Sequence, residues 1–161
     1  YIFNNNIIFY KDINNKMLEE YINKNIILKG FKELNNFNNW LVGFTTAEGS
    51  FCKKKNNDIC FKLKQKYNLN LFKEILVYFN STQKLYIKDN KYVEYTISST
   101  KDIQKIIYFF SYNDYEIKPN IKHATISLKG LKLISYNKWL LEIKISKRYG
   151  KLDLPKVINI I

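Results

Sequence analysis

The sequence predicts an α+β fold in which a four-stranded antiparallel, saddle-like sheet is backed by helices on one face and left open on the other. Two pairs of short alternating strands are each closed by a turn rich in Asn and Asp, and apolar segments of helical period precede, separate and follow them. The length of 161 residues suffices for one domain with a real core, but not comfortably for two.

Each element has its own signal. Asn38 or Asn39 can cap a helix over NWLVGFTTA that ends near Gly49. A strand, GSFCKKK, follows, and Asn56-Asn57-Asp58 turn the chain into ICFKLKQK. In that second strand Phe61, Leu63 and Gln65 fall on one face, and Lys62, Lys64 and Lys66 on the other. NLNLFKEILVYFN repeats Leu69, Leu71, Phe72, Ile75, Leu76 and Phe79 at helical spacing, with Asn68 as cap. A second hairpin runs from KLYIKD through Asn90 and Lys91 into YVEYTISS, and STKDIQKIIYFFS restarts a helix capped by Ser99 or Thr100. YNDYEIKPNIKHAT, which contains Pro119, reads as irregular. The final helix, LKGLKLISYNKWLLEIKISK, carries an apolar face of Leu131, Leu133, Tyr136, Trp139, Leu140 and Ile143. The order is αββαββα, and one face of each hairpin must pack on the helices.

Residues 1–37 are rich in Asn and Lys, with a short helix offered by KMLEEYINKNI, and read as an extension or linker ahead of a domain over residues 38–161. The chain opens YIFNNNIIFY without Met, as expected of a processed product or an excerpt of a longer frame.

Basic residues number 27 against 14 acids, a formal charge of +13, which favours a polyanionic partner: nucleic acid or an acidic membrane surface. Arg148 is the single arginine, and Lys, Asn, Ile and Tyr are all heavily used. Their codons are AT-rich, so drift in an AT-rich genome such as a mitochondrial one accounts for lysine over arginine, while the net charge survives that discount. No apolar run is long enough to span a bilayer and no signal-peptide pattern is present, so the expectation is a soluble protein with no membrane partner. Cys52 and Cys60 flank the first turn and are expected as reduced core thiols; zinc is disfavoured, since no CxxC occurs and His123 is the only histidine. The outward lysines of the second strand, on an open sheet in a strongly basic chain, point to a nucleic-acid surface. Tyr78, Phe79, Phe109, Phe110 and Trp139 lie in apolar-periodic helices and are expected in the core.

The nonapeptide LVGFTTAEG at a helix end, followed by this order of elements, resembles the LAGLIDADG family of homing endonucleases and intron maturases. The resemblance runs from about Asn38 to about Pro155 and includes WLLEIKISKRYGKLDLP, which is similar to mitochondrial intron-encoded members. It implies that Val42, Gly43 and Ala47 let the motif helix lie close against a second motif helix, and that Glu48, together with Ala47 at the helix end, holds Mg²⁺ or another divalent cation at the scissile phosphates. Where the family commonly has Asp or Glu at the sixth motif position, this chain has Thr46. Gln65 matches a position that helps orient water around the metals, although an ordinary strand glutamine is an equal alternative. Active-site lysines of the family precede the final helix, which offers Lys132, preferred, and Lys129, read as a nucleic-acid contact. Lys53, Lys55, Lys62, Lys64 and Lys66 are the remaining candidates for binding nucleic acid, with Lys54 in reserve because the phase of the first strand is open.

The family's chemistry needs two motifs, so a homodimer mate or another half of a longer chain is expected to supply the second. What it would act on is left as three alternatives: metal-dependent cleavage of double-stranded DNA at an intronless allele, maturase binding to a group I intron RNA, and a structural nucleic-acid-binding role.

Overall fold

The computed structural model describes residues 37–111 and 121–156. The chain divides into two compact units, Tyr1–Asn35 and Asn36–Ile161, and the described residues all belong to the second. The extension expected over residues 1–37, with its short helix, therefore lies outside the described residues apart from Phe37, which is buried.

The elements are α1 (Phe37–Glu48), β1 (Gly49–Lys53), β2 (Ile59–Lys66), α2 (Leu69–Tyr78), β3 (Tyr86–Lys88), β4 (Tyr92–Ile97), α3 (Thr100–Phe110) and α4 (Gly130–Ile145). The order is thus αββαββαα, because the helix after Ser99 and the final helix are separate elements. The four strands form one antiparallel sheet in the order β1-β2-β4-β3.

Register follows from apolar alternation. Leu63 is the partner of Gly49 and of Tyr95, and Phe61 of Phe51 and of Ile97, so these residues share the inner face. Phe51 packs its ring within 5.6 Å of the Phe61, Phe110, Tyr136 and Trp139 rings, which fastens α3 and α4 to the inner face. Trp40 stacks on Phe44 at 5.0 Å, and Phe44 meets Phe72 edge-on at 6.2 Å, which packs α1 on α2. Two polar contacts lie inside this core: Trp139 Nε1 donates to the Cys60 carbonyl at 3.0 Å, and the Tyr136 and Ser111 hydroxyls lie 2.6 Å apart.

The caps of α2 and α3 are those expected. Asn68 Oδ1 accepts from Leu71 N, and Ser99 Oγ accepts from Asp102 N. Asn38 and Asn39 do not cap α1, whose described residues start at Phe37; Asn38 Nδ2 donates to the His123 carbonyl, and Asn39 Oδ1 accepts from Thr125 N. They tie α1 to the stretch 121–129, which has no helix or strand, as expected for 121–125, whereas the final helix expected from Leu128 starts at Gly130; 112–120 lies outside the described residues.

The second hairpin turns at Asp89 and Asn90, one residue earlier than expected, with both at positive φ (51° and 50°) and Lys91 N bonded to the Lys88 carbonyl at 2.9 Å. Leu131 leaves the expected apolar face of α4 and is 85% exposed, because its neighbour Lys132 turns toward Gly49 and successive helical side chains diverge by about 100°. Cys52 and Cys60 are direct partners across β1 and β2 and form a disulfide, where reduced thiols were expected; the strand register brings them together.

Candidate active site and nucleic-acid face

The site begins where α1 becomes β1. Gly49 makes that junction: a Cβ there would come within 2.6 Å of Thr45 Cγ2 and of the Thr45 carbonyl oxygen, so the strand leaves the helix through a gap that only glycine fits. Glu48, the last residue of α1, is exposed and makes no hydrogen bond or ion pair among the described residues. A helix C-terminus carries partial negative charge on its free carbonyls, so this carboxylate and the end of α1 both favour a cation.

Two other candidates gather here. Lys132, in the first turn of α4, donates its Nζ to the Gly49 carbonyl. Gln65, half-buried, lies one inward position beyond Leu63, the register partner of Gly49, and therefore at the same end of the sheet. Lys129 precedes α4 and is exposed. Thr46 donates its hydroxyl to the Val42 carbonyl four residues back at 2.8 Å, so it closes onto its own helix.

The outer part of α1 is bare. Gly43, Thr46 and Ala47 are exposed on one face, and a Cβ at Gly43 would meet nothing within 4 Å. Val42, expected on that face, is instead buried at 3% exposure, because the 100° step from Gly43 turns it into the chain's own core.

The donors at this junction are of the hard oxygen type that suits a divalent cation. Among the described residues no group of three or more His, Cys, Asp or Glu side chains converges, and Glu48 with the end of α1 offers too few oxygen donors to hold such a cation alone.

The outer face of the sheet follows from the same register. Lys62, Lys64 and Lys66 point outward on β2, opposite Thr96, Glu94 and Tyr92 of β4, and Tyr86 and Lys88 of β3 continue the face. The phase of β1 sends Lys54 the same way as Ser50 and Cys52; its Nζ bonds Ser98 Oγ at 3.0 Å. Lys53 has the opposite phase, set by inward Phe51, and pairs with Glu142 of α4 at 2.8 Å, so it does not belong to the outward row in which it was expected. Lys55 is exposed in the turn.

The sequence reading missed Tyr86, Lys88, Tyr92, Glu94 and Thr96, although the alternation in YVEYTI carried the signal for the last three. Lys64 Nζ sits 5.1 Å over the Tyr92 ring, and Glu94 Oε1 accepts from Lys62 Nζ at 3.0 Å and Thr96 Oγ1 at 2.8 Å. Partial burial pushes the Glu94 carboxyl up, but the hydrogen bonds from Thr96 and Lys62 and the neighbouring lysine charges outweigh it and hold it below its ordinary value.

The family model described as LAGLIDADG endonuclease matches residues 41–143. The chain belongs to the LAGLIDADG endonuclease family. It is 26% identical over 106 residues to the "Probable intron-encoded endonuclease aI3" of Dictyostelium discoideum, covering 66% of this chain and 45% of that protein. To the protein of the same name from Dictyostelium citrinum it is 36% identical over 81 residues, covering 49% of this chain and 32% of the other. The chain thus spans less than half the length of these curated relatives. Among solved structures, the LAGLIDADG homing endonuclease I-GzeII in complex with its DNA target is 30% identical, with a TM-score of 0.39 over 69% of this chain and 39% of that one. No described helix is long and apolar enough to cross a membrane.

Proposed function

We propose that this chain is one motif-bearing unit of an intron-encoded homing endonuclease that makes site-specific, divalent-metal-dependent breaks in double-stranded DNA. The observation that carries the reading is the junction of α1 and β1, where an exposed, unpaired Glu48 stands beside the Lys132–Gly49 contact at the margin of a basic sheet. Family membership and the formal charge of +13 support it.

Each residue has a task in this reading. The outward lysines of β2 contact the phosphates and base edges of the duplex and set the protein on it. Glu48 supplies one carboxylate ligand, with Ala47 beside it at the end of the helix. Mg²⁺ or a similar cation, when held there, supplies Lewis acidity at the scissile phosphate. Gln65 orients a water by its amide, and Lys132 places positive charge where negative charge develops on the phosphate. Gly43, Thr46 and Ala47 form the bare helix face on which a second motif helix docks, bringing the second carboxylate. A homodimer mate or another part of a longer chain would provide that helix, and the AT-rich residue usage supports an organellar, mitochondrial gene.

Glu48→Gln is expected to abolish cleavage of duplex DNA spanning the intronless junction, measured with the full protein, its second motif and Mg²⁺, while DNA binding stays within about threefold. Undiminished cleavage by the variant would sink the proposal. The competing reading, a maturase that binds a group I intron RNA, draws on Thr46 in place of the usual acid; it would gain if splicing support survived Glu48→Gln and no DNA break were seen.

A further inference from the structure

The charged side chains on the outward face of the four strands are lysines at every described position but one. Glu94 is the one carboxylate among its described residues, and it sits in mid-face: its partners across the sheet are Lys64 on β2 and Tyr86 on β3. A carboxylate on a surface that meets phosphates is repelled by them, and this one is not at the rim where it could turn away. It is also held still. Lys62 Nζ and Thr96 Oγ1 both donate to Oε1, and among the described residues no hydrogen bond reaches Oε2.

An oriented carboxylate with an acceptor oxygen to spare calls for a donor on the ligand. In the major groove the donors are the exocyclic amines of cytosine and adenine. Adenine presents its amine next to the N7 acceptor, which would repel a carboxylate, whereas cytosine presents the N4 amine beside a C–H edge. Guanine, its pairing partner, offers N7 and O6 acceptors, which match the ammonium of Lys62.

We infer that Glu94 is a specificity-determining residue that accepts a hydrogen bond from cytosine N4 at one C·G pair of the target, with Lys62 on the guanine of the same pair. The inference rests on the reading of the sheet as a duplex-binding face and names what one point of that face selects.

The test is selection from a randomised duplex DNA library by the full protein with its second motif, comparing wild type, Glu94→Gln, Glu94→Ala and Lys62→Met by sequencing the bound pool. Wild type is expected to prefer cytosine at one position by at least about fivefold over the other bases. Glu94→Gln should move that position toward adenine, whose N6 and N7 suit an amide. Glu94→Ala should erase the preference there alone, and Lys62→Met should weaken it at the same pair. Melting curves matching wild type would confirm that these surface variants fold. If the Glu94 variants strengthen or weaken binding of all sequences alike and leave the consensus unchanged, Glu94 only tunes charge or braces the strands and the inference is overturned. Failure of wild type to enrich any sequence would instead overturn the duplex-recognition reading itself, and the inference with it.

Discussion

Gly49 shows how much one residue can control. A methyl group there would press on the Thr45 side chain and carbonyl at 2.6 Å, both fixed within α1. Gly49→Ala is expected to cost about 2–4 kcal/mol in chemical denaturation, in the range of overpacking and backbone strain. A cost below about 0.5 kcal/mol would mean that the junction relaxes freely. Asp58 is a second telling residue. The Arg148 guanidinium, 2.6 Å away, donates to its carboxylate and, with a hydrogen bond from Asn56 and the nearby positive charges, holds it below the ordinary value of 3.8 against the opposing effect of burial. Because the folded state binds the proton less readily than the unfolded chain, the stability from this pair is present above the ordinary aspartate value and is lost as pH falls through the lower folded one. Arg148→Met should therefore narrow the difference in denaturation midpoint between about pH 6 and about pH 2.5. An unchanged difference would show that the pair is electrostatically idle. The placing of Glu48 and Gly49 at the helix-to-strand junction was legible because a motif sets it, whereas Lys53 was misplaced because FCKKK alone does not say whether the set of Phe51 and Lys53 or that of Cys52 and Lys54 faces the core.

At the scale of elements, alternation and helical period carry most of the information. Strand β2, helices α2 and α3 and their Asn68 and Ser99 caps follow from spacing and capping chemistry that act within a few residues. Turns were less sharply drawn. The second hairpin closes through Asp89 and Asn90, both at positive φ, where short polar side chains are tolerated and β-branched ones are not. Asn90→Val is thus expected to destabilise by about 1–2 kcal/mol, and retention of wild-type stability would mean the turn changes type. Asn38 and Asn39 went astray for a related reason: an Asn near a helix start reads as a cap, yet here both are already helical and bond the 121–129 stretch, a partner more than eighty residues away.

Over the described domain, the aromatic core sets the behaviour at high pH. Burial pushes the Tyr78 and Tyr95 hydroxyls up to about 12 from the ordinary 10.0. The unfolded chain loses these protons first, so their contribution is full below about pH 10 and fades as pH rises toward the folded values. A spectrophotometric titration should show a late tyrosine phase coincident with unfolding, and Tyr95→Phe should reduce that alkaline loss of stability. If all tyrosines titrate near pH 10 before the fold is lost, the burial argument fails. The bare Gly43, Thr46 and Ala47 face gives the domain its other large-scale feature, since a helix open on one side of an otherwise packed unit has room for the second motif that the proposed chemistry needs.

Local chemistry in the chain was enough to establish the order of helices and strands, the inward and outward faces of β2, the basic character of the outer face and the place of Glu48 at a helix end. These depend on periodicity, capping and a nine-residue motif, all of which act over short spans. Contacts across the chain were needed for the rest: Lys132 reaching Gly49, Lys53 drawn to Glu142, Cys52 set opposite Cys60 and Glu94 held by Lys62 in the middle of the lysine face. Each of these joins residues on different elements, and pairing of that kind follows from strand register and helix docking rather than from any local pattern of residues.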